Sequence, residues 1–376
     1  MSATFFCPTK LIFSDDAGRD LARELGDANR IAVITDRGVV QAGVVEPIVQ
    51  ALQNAGHTLV VYSEVPGNPN VGDVNNALAI IGATPPAFIV AIGGGSVIDT
   101  AKAVSILLTH PGTNWEDLQW GRASIIHASV PVIAIPTTAG TGSEVSHVAV
   151  IGDQAGFKKG VVHSAVFARA AILDGALTRA LPAHLTAATG MDALVHALEA
   201  YLGQRAHPTT DLYALAALKL AVRWLPKATA RGEDVDARRK MLEAAAWGGI
   251  AMDQAGLGLA HALCGPLAAR YHLHHGLGVA LLLPATLAFN AEAIPQDRWD
   301  ELRGAIGAPA LEPGALGEWA REFVSQLGLP TRLREVKVEA DSIGAMAEEA
   351  MRMAMIGNNV RTVTVEDCRQ VLEAAL

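Results

Sequence analysis

Short apolar runs alternate with longer helix-like segments through the first half of the chain. The runs are rich in β-branched residues and are commonly bounded by Gly, Pro, Asp or Asn; they are Ile31–Thr35, Leu59–Tyr62, Phe88–Ile92, Val130–Ile135 and Ala171–Leu173. Helix-length stretches such as Gly43–Ala55 and Val71–Gly82 lie between them. Strand and helix in alternation are typical of a parallel sheet covered by helices on both faces. The pattern predicts a doubly wound, Rossmann-like α/β domain over residues 1–180.

The pattern changes near Leu181-Pro182, after which Ala, Leu and Glu dominate and strand-like runs almost vanish. Helical apolar spacing recurs in four stretches, which are Leu185–Leu202, Asp211–Leu225, Ala237–Ala251 and Ala340–Met355. The chain contains no internal repeat and no low-complexity linker. We therefore expect an all-helical domain over residues 181–376.

Composition narrows the class of protein. The chain has 376 residues, a length typical of two domains. Hydrophobic residues make up 51% and charged residues 18%, so the chain can bury a large core and is not of the disordered class. The formal net charge is −9, and no long basic run occurs. Because nucleic acids and anionic membranes attract basic surfaces, we expect neither as a partner.

The cysteines and the longest apolar stretches bear on the compartment. Cys7, Cys264 and Cys368 are far apart, which favours neither a disulfide framework nor a cysteine zinc site and fits a reducing compartment. The N-terminal apolar run is too short for a signal peptide. The stretches Ala255–Ala269 and Gly276–Ala291 fall short of the ~20 residues that span a bilayer, and each contains a proline. We expect a soluble cytoplasmic protein.

A glycine-rich turn follows the apolar run Phe88–Ile92. It reads Gly93-Gly94-Gly95-Ser96 and opens a helix-like segment that contains Asp99. Glycines let the backbone approach a ligand closely, and the unpaired N–H groups at a helix start attract an anion such as a pyrophosphate. The turn differs from the dinucleotide fingerprint G-x-G-x-x-G, and a tight turn that binds nothing is the alternative.

Two further features of this half fit a dinucleotide. The loop after Val130–Ile135 contains Thr137 and Thr138, whose hydroxyls can bond phosphate or ribose. Asp36 follows the first strand, where a carboxylate can bind an adenosine ribose and repel a 2′-phosphate. A helix N-cap is the structural alternative for each. Both loops follow strands, at the edge where open α/β sheets bind ligands, which favours the binding interpretation.

Four side chains of the second half have the chemistry of metal ligands. Asp192 and His196 are four residues apart, so on a helix they lie one turn apart on one face. A histidine packed on an apolar helix is the alternative for this pair alone. His261 lies in an otherwise apolar stretch, and His275 precedes another. One Asp and three His form a set that Fe(II) or Zn(II) accepts, and such a cation can polarise a carbonyl or stabilise an alkoxide.

The order of these motifs resembles that of the iron-dependent (group III) alcohol dehydrogenase family over most of the chain. The segments that carry the resemblance are GGGSVIDTAK, IPTTAGTGSEVS, LPAHLTAATGMDALVHALEAY, GLGLAHALCGPL, the HHG segment and Asn358-Asn359-Val360-Arg361. The resemblance implies a dehydroquinate synthase-like fold with an N-terminal dinucleotide domain and a helical metal-binding domain. It also implies an NAD(H) cofactor, a divalent metal, Fe(II) or else Zn(II), and a homodimer.

The resemblance also assigns residues by motif position. It implies the metal ligands Asp192, His196, His261 and His275. It implies a cofactor site made by Asp36, Gly94, Gly95, Ser96, Asp99, Thr137, Thr138 and Lys159. His261 and His275 would act in catalysis, and His274 is a candidate for the proton relay.

The sequence departs from the family pattern beside the proposed metal. Gly265 stands where family members often carry a second histidine four residues after the third ligand, which puts the usual proton relay in doubt. His274 stands where the HHG segment usually has proline, and His272 or His274 is a substitute for the relay. Alignment of the motifs also places Val148, Met252 and Leu257 near the substrate, and their apolar side chains favour a small or weakly polar alcohol.

We expect metal-dependent, NAD(H)-linked interconversion of a small primary alcohol and its aldehyde. A dehydroquinate synthase-like lyase is a rival, but it needs Lys and Arg around the metal, and the segments MDALVHALEAY and GLGLAHALCGP contain neither. A metal-free maleylacetate reductase is a second rival, against which the carboxylate of Asp192 argues. A nucleotide-binding protein without catalysis would leave the four matched ligands unexplained.

Overall fold

The structure is a computed structural model that describes residues 4–82, 84–154 and 157–376. The described chain divides into two compact units. The sheet unit contains Cys7–Thr138 and Gly142–Ala180. The helical unit is built on Leu181–Leu376 and includes Ala139–Thr141 and the described residues before Cys7.

The sheet unit contains a six-stranded parallel sheet and a separate two-stranded antiparallel hairpin. The strands are β1 Lys10–Ser14, β2 Arg30–Thr35, β3 Thr58–Tyr62, β4 Phe88–Gly93, β5 Val132–Pro136, β6 Val148–Gly152, β7 Lys158–Val162 and β8 Ala170–Asp174. The order across the sheet is β1-β8-β5-β4-β2-β3, while β6 and β7 form the hairpin. Ile89 pairs with Val132 and Gly93 with Pro136, so the carboxyl ends of β4 and β5 lie side by side.

Helices cover both faces of the large sheet. Those of this unit are α1 Ala17–Leu25, α2 Arg37–Gln41, α3 Val45–Asn54, α4 Val71–Ile81, α5 Gly95–Leu107 and α6 Trp115–Gln119. Since side chains alternate along a strand, Ala32 and Ile34 join the core under α4 and α5, whereas Ile31 and Val33 join the core under α1 and α3. The predicted doubly wound arrangement is confirmed.

All five predicted strands occur in the sheet, and three strands were not predicted. The missed strand β1 lies at the sheet edge and is mostly exposed or half-buried, so its sequence KLIFS lacks a continuous apolar run. The other two, β6 and β7, form the small hairpin, where Val150 and Val162 are exposed. Edge and hairpin strands carry a weaker apolar signal than strands buried on both faces.

The helical unit has no strand among its described residues. Its helices are α7 Ala183–Leu202, α8 Pro208–Ala230, α9 Val235–Ala255, α10 Leu259–Tyr271, α11 His275–Asn290, α12 Gln296–Ala305, α13 Leu316–Gln326, α14 Ile343–Ala350 and α15 Val365–Ala375. The helices predicted at α7, α8 and α9 are confirmed. The helix predicted over Ala340–Met355 is shorter, because 3₁₀ turns at Ala340–Ser342 and Ala354–Asn358 flank α14.

One apolar helical stretch is longer than we expected from the sequence. His275–Ala293 is long and apolar enough to cross a membrane by length and composition alone. However, 72% of its most apolar part is buried inside the protein. Buried core helices of soluble proteins can have the same length and composition, so the stretch is weak evidence for a membrane span.

Candidate metal centre and cofactor loops

The metal-ligand candidates Asp192 and His196 lie on α7, a helix that is buried along nearly its whole length. They are one turn apart, as the spacing predicts, and His196 Nε2 lies 3.5 Å from Asp192 Oδ1. Both side chains are at least 95% buried. Burying an Asp and a His at this depth in an apolar helix costs free energy unless polar groups or a ligand compensate for the lost water.

Helices α10 and α11 bring two more imidazoles to the same carboxylate oxygen. His261 Nε2 of α10 lies 3.4 Å from Asp192 Oδ1, and His275 Nε2 at the start of α11 lies 3.6 Å from it. The ring centres of His261 and His196 are 4.8 Å apart, and those of His261 and His275 are 5.3 Å apart. Three imidazoles therefore surround one carboxylate oxygen, and only His275 is substantially exposed, at 44%.

Gly276 allows α11 to approach α7 closely enough to bring His275 to Asp192. A Cβ atom at Gly276 would lie 2.1 Å from the backbone oxygen of Ala188, which is closer than any real Cβ contact. Because that neighbour is backbone, it cannot rotate away. The glycine of the HHG segment is therefore a packing requirement of the cluster.

The polar atoms of the cluster fit a divalent cation. Asp192 Oδ1 and His261 Nε2 are buried without a hydrogen-bond partner among the described residues. Buried polar atoms normally have such partners, and leaving them unpaired costs free energy. Ligand atoms of Asp192, His261 and His275 lie within 4.8 Å of one another, with His196 next to them. Imidazole nitrogens with a carboxylate oxygen suit Fe(II) or Zn(II).

The electrostatics of the cluster keep its carboxylate charged. Burial alone raises the pKa of Asp192, but the charges of the three imidazoles outweigh it and hold that pKa well below its usual range. Burial lowers the pKa of His261, yet Glu199 and Asp192 together raise it to about 9. Burial is the main reason that the pKa of His196 lies below its ordinary value. A stable negative charge among imidazoles favours a cation at this point.

One acidic residue beside the cluster was missed in the sequence. Glu199 lies on α7, three residues after His196, and its Oε2 is 2.6 Å from Nδ1 of His261. It occurs in the quoted segment MDALVHALEAY, and its spacing from His196 places both on one helix face. That spacing is the sequence signal from which Glu199 could have been recognised as a neighbour of the metal candidates.

In the sheet unit, the two loops predicted to bind the cofactor lie against each other. Gly94 precedes α5 and Gly95 begins it, while a Cβ atom at Gly94 would lie 3.1 Å from Oγ1 of Thr138. The backbone N–H of Thr137 donates to the carbonyl of Gly93. The hydroxyl of Ser96 donates to the carbonyl of Gly67. The glycine turn and the threonine loop thus form one continuous edge of the sheet.

Asp99 is predicted to contact the cofactor, but the hydrogen bonds of its carboxylate in the structure are with groups of the protein itself. Its carboxylate accepts from Ser143 Oγ at 2.5 Å and from the Val150 backbone N–H at 3.0 Å. Lys102 lies one turn later on α5, and no role for it was predicted from the sequence. Its ammonium donates hydrogen bonds to backbone oxygens of the same segment, including that of Ser143. Both residues hold the chain that follows the threonine loop, and a direct cofactor contact of Asp99 stays a prediction.

Two other predicted cofactor residues have structural partners. Asp36 caps α2 by accepting from the backbone N–H of Val39 at 2.9 Å, which is the structural alternative noted for it. The ammonium of Lys159 lies over the ring of Trp120, 3.9 Å from its centre. Neither contact excludes a ligand, and both cofactor roles stay predictions.

The position of the missing family histidine is covered by a methionine. Gly265 lies one turn after His261 on α10, and a Cβ atom there would be 3.0 Å from Cε of Met353. Met353 was not singled out in the sequence, because its segment is far away and irregular. His274 is exposed at the residue before α11, and its relay role stays a prediction.

Both halves of the chain match known family profiles. Residues 8–175 match the profile of iron-containing alcohol dehydrogenases, and residues 186–376 match the C-terminal profile of the Fe-containing alcohol dehydrogenase family. The chain is 36% identical to the probable alcohol dehydrogenase EutG of Escherichia coli K12, over 91% of this chain and 86% of that one. It is 33% identical to the NAD-dependent methanol dehydrogenase of Bacillus methanolicus, over 99% of each chain.

A solved structure extends the likeness to the fold. The sulfoacetaldehyde reductase from Bifidobacterium kashiwanohense, solved in complex with NAD+, superposes with a TM-score of 0.91 at 28% identity. The match covers 100% of this chain and 98% of the reductase. The likeness therefore includes both units.

Proposed function

The chain belongs to the iron-containing alcohol dehydrogenase family, and on that premise we propose that it interconverts a small primary alcohol and its aldehyde with NAD(H). The family resemblance predicted from the sequence is confirmed, and so is the enzyme class, a metal-dependent oxidoreductase. The proposal adds the substrate class and the roles of individual residues.

The observation that carries the proposal is the carboxylate of Asp192 surrounded by three imidazoles. We propose Asp192, His196, His261 and His275 as the ligands of a divalent cation, iron or zinc. Held by these residues, such a cation would supply the positive charge that stabilises an alkoxide, and NAD(H) would supply the hydride acceptor or donor. The presence of Asp192 also favours this reaction over that of the metal-free maleylacetate reductases.

The cofactor part of the proposal assigns the sheet unit to NAD(H) and the helical unit to the metal, with the boundary at residues 180 and 181. The start of α5 supplies backbone N–H groups for the pyrophosphate. The proposed cofactor residues are Asp36, Gly94, Gly95, Ser96, Asp99, Thr137, Thr138 and Lys159. The carboxylate of Asp36 would repel a 2′-phosphate and so favour NAD over NADP.

The proposal for the substrate rests on apolar side chains and on the relatives. Met252 and Leu257 of the helical unit are half-buried and offer no charge to a substrate. Two of the relatives named above are a methanol dehydrogenase and a sulfoacetaldehyde reductase, and their substrates support small size rather than low polarity. We therefore propose a small primary alcohol as the substrate, weakly polar because these side chains are apolar. From the family resemblance we also propose a homodimer, and from the dispersed cysteines a cytoplasmic location.

The test is elemental analysis of the purified protein, followed by assays with a panel of primary alcohols and aldehydes and with NAD(H) and NADP(H). We expect about one divalent metal per chain and higher kcat/KM with NAD(H). Asp192→Asn keeps the shape of the side chain but removes its charge, so we expect metal affinity to fall more than about 100-fold, beyond the usual effect of losing a residue that only supports a ligand.

His184→Ala is the matched control, because His184 is an exposed histidine in the first turn of the same helix. We expect this variant to keep its metal and its activity. Both variants should bind NADH as the unmodified protein does, since the proposed cofactor residues belong to the sheet unit. Full activity of metal-stripped Asp192→Asn would contradict the metal-dependent reaction.

A further inference from the structure

We propose that Glu199 is a positioning residue that sets both the place and the tautomer of the metal ligand His261. The inference rests on the proposed function, in which His261 binds a divalent cation. Glu199 is 11% exposed at its side chain, and His261 is the proposed ligand to which it hydrogen-bonds. Its two oxygens converge on the first turn of α10.

The carboxylate of Glu199 caps α10. Its Oε2 accepts from the backbone N–H of Gly258 at 2.8 Å, and its Oε1 accepts from the backbone N–H of Ala260 at 2.6 Å. The first N–H groups of a helix have no partner within the helix, and a negative charge there is favourable. Gly258 is the N-cap residue and has no side chain to do this. Glu199 of α7 supplies the missing cap.

This cap places the backbone of the metal ligand. His261 is the third residue of α10, and its own N–H lies 3.4 Å from Oε1 of Glu199. A Cβ atom at Gly258 would lie 3.2 Å from the same oxygen, so a larger residue there would press on the carboxylate. One side chain on α7 thus fixes the start of the helix that carries His261.

The same carboxylate selects the tautomer of the imidazole. Oε2 of Glu199 lies 2.6 Å from Nδ1 of His261, and because an ionised carboxylate only accepts hydrogen bonds, Nδ1 carries the proton. The lone pair of a singly protonated ring is then on Nε2, which lies 3.4 Å from Asp192 Oδ1. Carboxylates that orient ligating histidines in this way raise metal affinity.

The test measures binding of Co(II) to the full-length, metal-stripped protein by its visible absorption, in competition with a chelator. For Glu199→Gln we expect the affinity to fall about 10–100-fold, the usual range for a carboxylate that orients a ligating histidine. The absorption spectrum of the Co(II)-saturated variant should also change, because the His261 ring loses its orientation. NMR of ¹⁵N-histidine-labelled, zinc-loaded protein should show His261 protonated at Nδ1 before the substitution.

Glu243→Gln is the matched control. Glu243 is a buried carboxylate of the same unit, and the partner of its carboxylate among the described residues is Lys240. We expect it to leave Co(II) affinity and spectrum unchanged. An equal affinity of Glu199→Gln and the unmodified protein would overturn the inference. So would a weaker affinity with an unchanged saturated spectrum, because that pattern indicates capping of α10 alone.

The two proposals fail in different ways. If the unmodified protein binds no Co(II) or Zn(II), the metal-dependent function fails and the positioning role fails with it. If the unmodified protein binds metal but oxidises no alcohol, the proposed reaction fails, and a Glu199-dependent affinity still supports the positioning role. Metal binding with full activity and no dependence on Glu199 overturns only the positioning role.

Discussion

Each unit contains a cluster of buried charged side chains, and the two clusters differ in how their polar atoms are satisfied. In the sheet unit, the fully buried ammonium of Lys102 donates to the backbone oxygens of Ser143, Ser146 and Val148 at 2.5–2.9 Å. Those acceptors use all three of its protons. In the helical unit, Asp192 Oδ1 faces three imidazole nitrogens at 3.4–3.6 Å and accepts no hydrogen bond from any described residue.

The comparison separates a cluster that holds the fold from one that fits a ligand. A saturated cation such as Lys102 has no capacity left for a ligand, and its effect is to fix the segment around Ser143. The unpaired atoms of Asp192 and His261 lie close together and can be satisfied at once by a single cation. Buried unpaired polar atoms are uncommon in folded proteins, so a convergent group of them indicates a site.

The largest effect on stability is expected from the saturated cluster. Lys102→Met removes the cation but leaves its three backbone carbonyl partners, two of them buried, and the carboxylate of Asp99 without it. Breaking a buried pair on one side typically costs about 3–5 kcal/mol, and we expect a loss of that size in the free energy of unfolding measured with urea.

Lys10→Met is the control for Lys102, because Lys10 lies in the same unit with 61% of its side chain exposed and pairs with Glu24. Exposed ion pairs contribute about 0–1 kcal/mol, so this variant should be nearly neutral. A loss below about 1 kcal/mol in Lys102→Met would mean that the two clusters do not differ as described.

Glu144 is a charged side chain of the sheet unit that does not follow this pattern, because its Oε1 is buried without a hydrogen-bond partner among the described residues. Burial raises the pKa of Glu144 from 4.5 to about 7, against the opposing charge of Lys102, while Asp99 adds to the rise. Between those two values the folded protein holds a proton that the unfolded chain has released. Stability therefore falls as the pH rises through this window, by about 3 kcal/mol in total.

Glu144→Gln tests the direction of this pH dependence of stability directly. The amide cannot ionise, so we expect the variant to equal the unmodified protein at pH 4.5 or below and to exceed its stability by about 3 kcal/mol at pH 8. Urea unfolding at several pH values measures the difference. Parallel stability curves for the two proteins across the pH range would contradict the raised pKa.

The same contrast explains which parts of the molecule the sequence could predict. The strands buried on both faces and the long helices α7, α8 and α9 carry continuous or periodic apolar patterns, and these were predicted. The spacing of Asp192 and His196 lies within one helix and could be recognised from physics alone. His261 and His275 come from separate helices. Their apolar surroundings marked them as candidates, but their convergence on Asp192 depends on tertiary packing, and the family resemblance assigned them as ligands.

Residues that act by contact across elements were the ones missed. Glu199 reaches the start of α10, Lys102 reaches the segment after the threonine loop, and Met353 covers Gly265. A single sequence contains no signal for such distant contacts unless spacing within one element suggests it.

The packing around the metal candidates can be tested at Gly276. In Gly276→Ala the added methyl group meets the backbone oxygen of Ala188, so the start of α11 must move away from α7. Overpacking of this kind costs about 1–3 kcal/mol, and we expect that loss in unfolding experiments. Since His275 is the residue before Gly276, Co(II) affinity should fall as well.

Gly265→Ala is the counterpart with the smallest expected effect. The added Cβ would meet only the terminal methyl of Met353, at 3.0 Å, and a flexible methionine can shift by a few tenths of an ångström. Alanine also favours a helix interior over glycine by up to about 1 kcal/mol, which offsets the strain. We therefore expect unfolding free energy within about 1 kcal/mol of the unmodified protein and unchanged Co(II) affinity. An equal loss of stability and metal affinity in Gly265→Ala and Gly276→Ala would mean that Met353 is held rigidly. A histidine at position 265 would then fit only together with Met353→Ala.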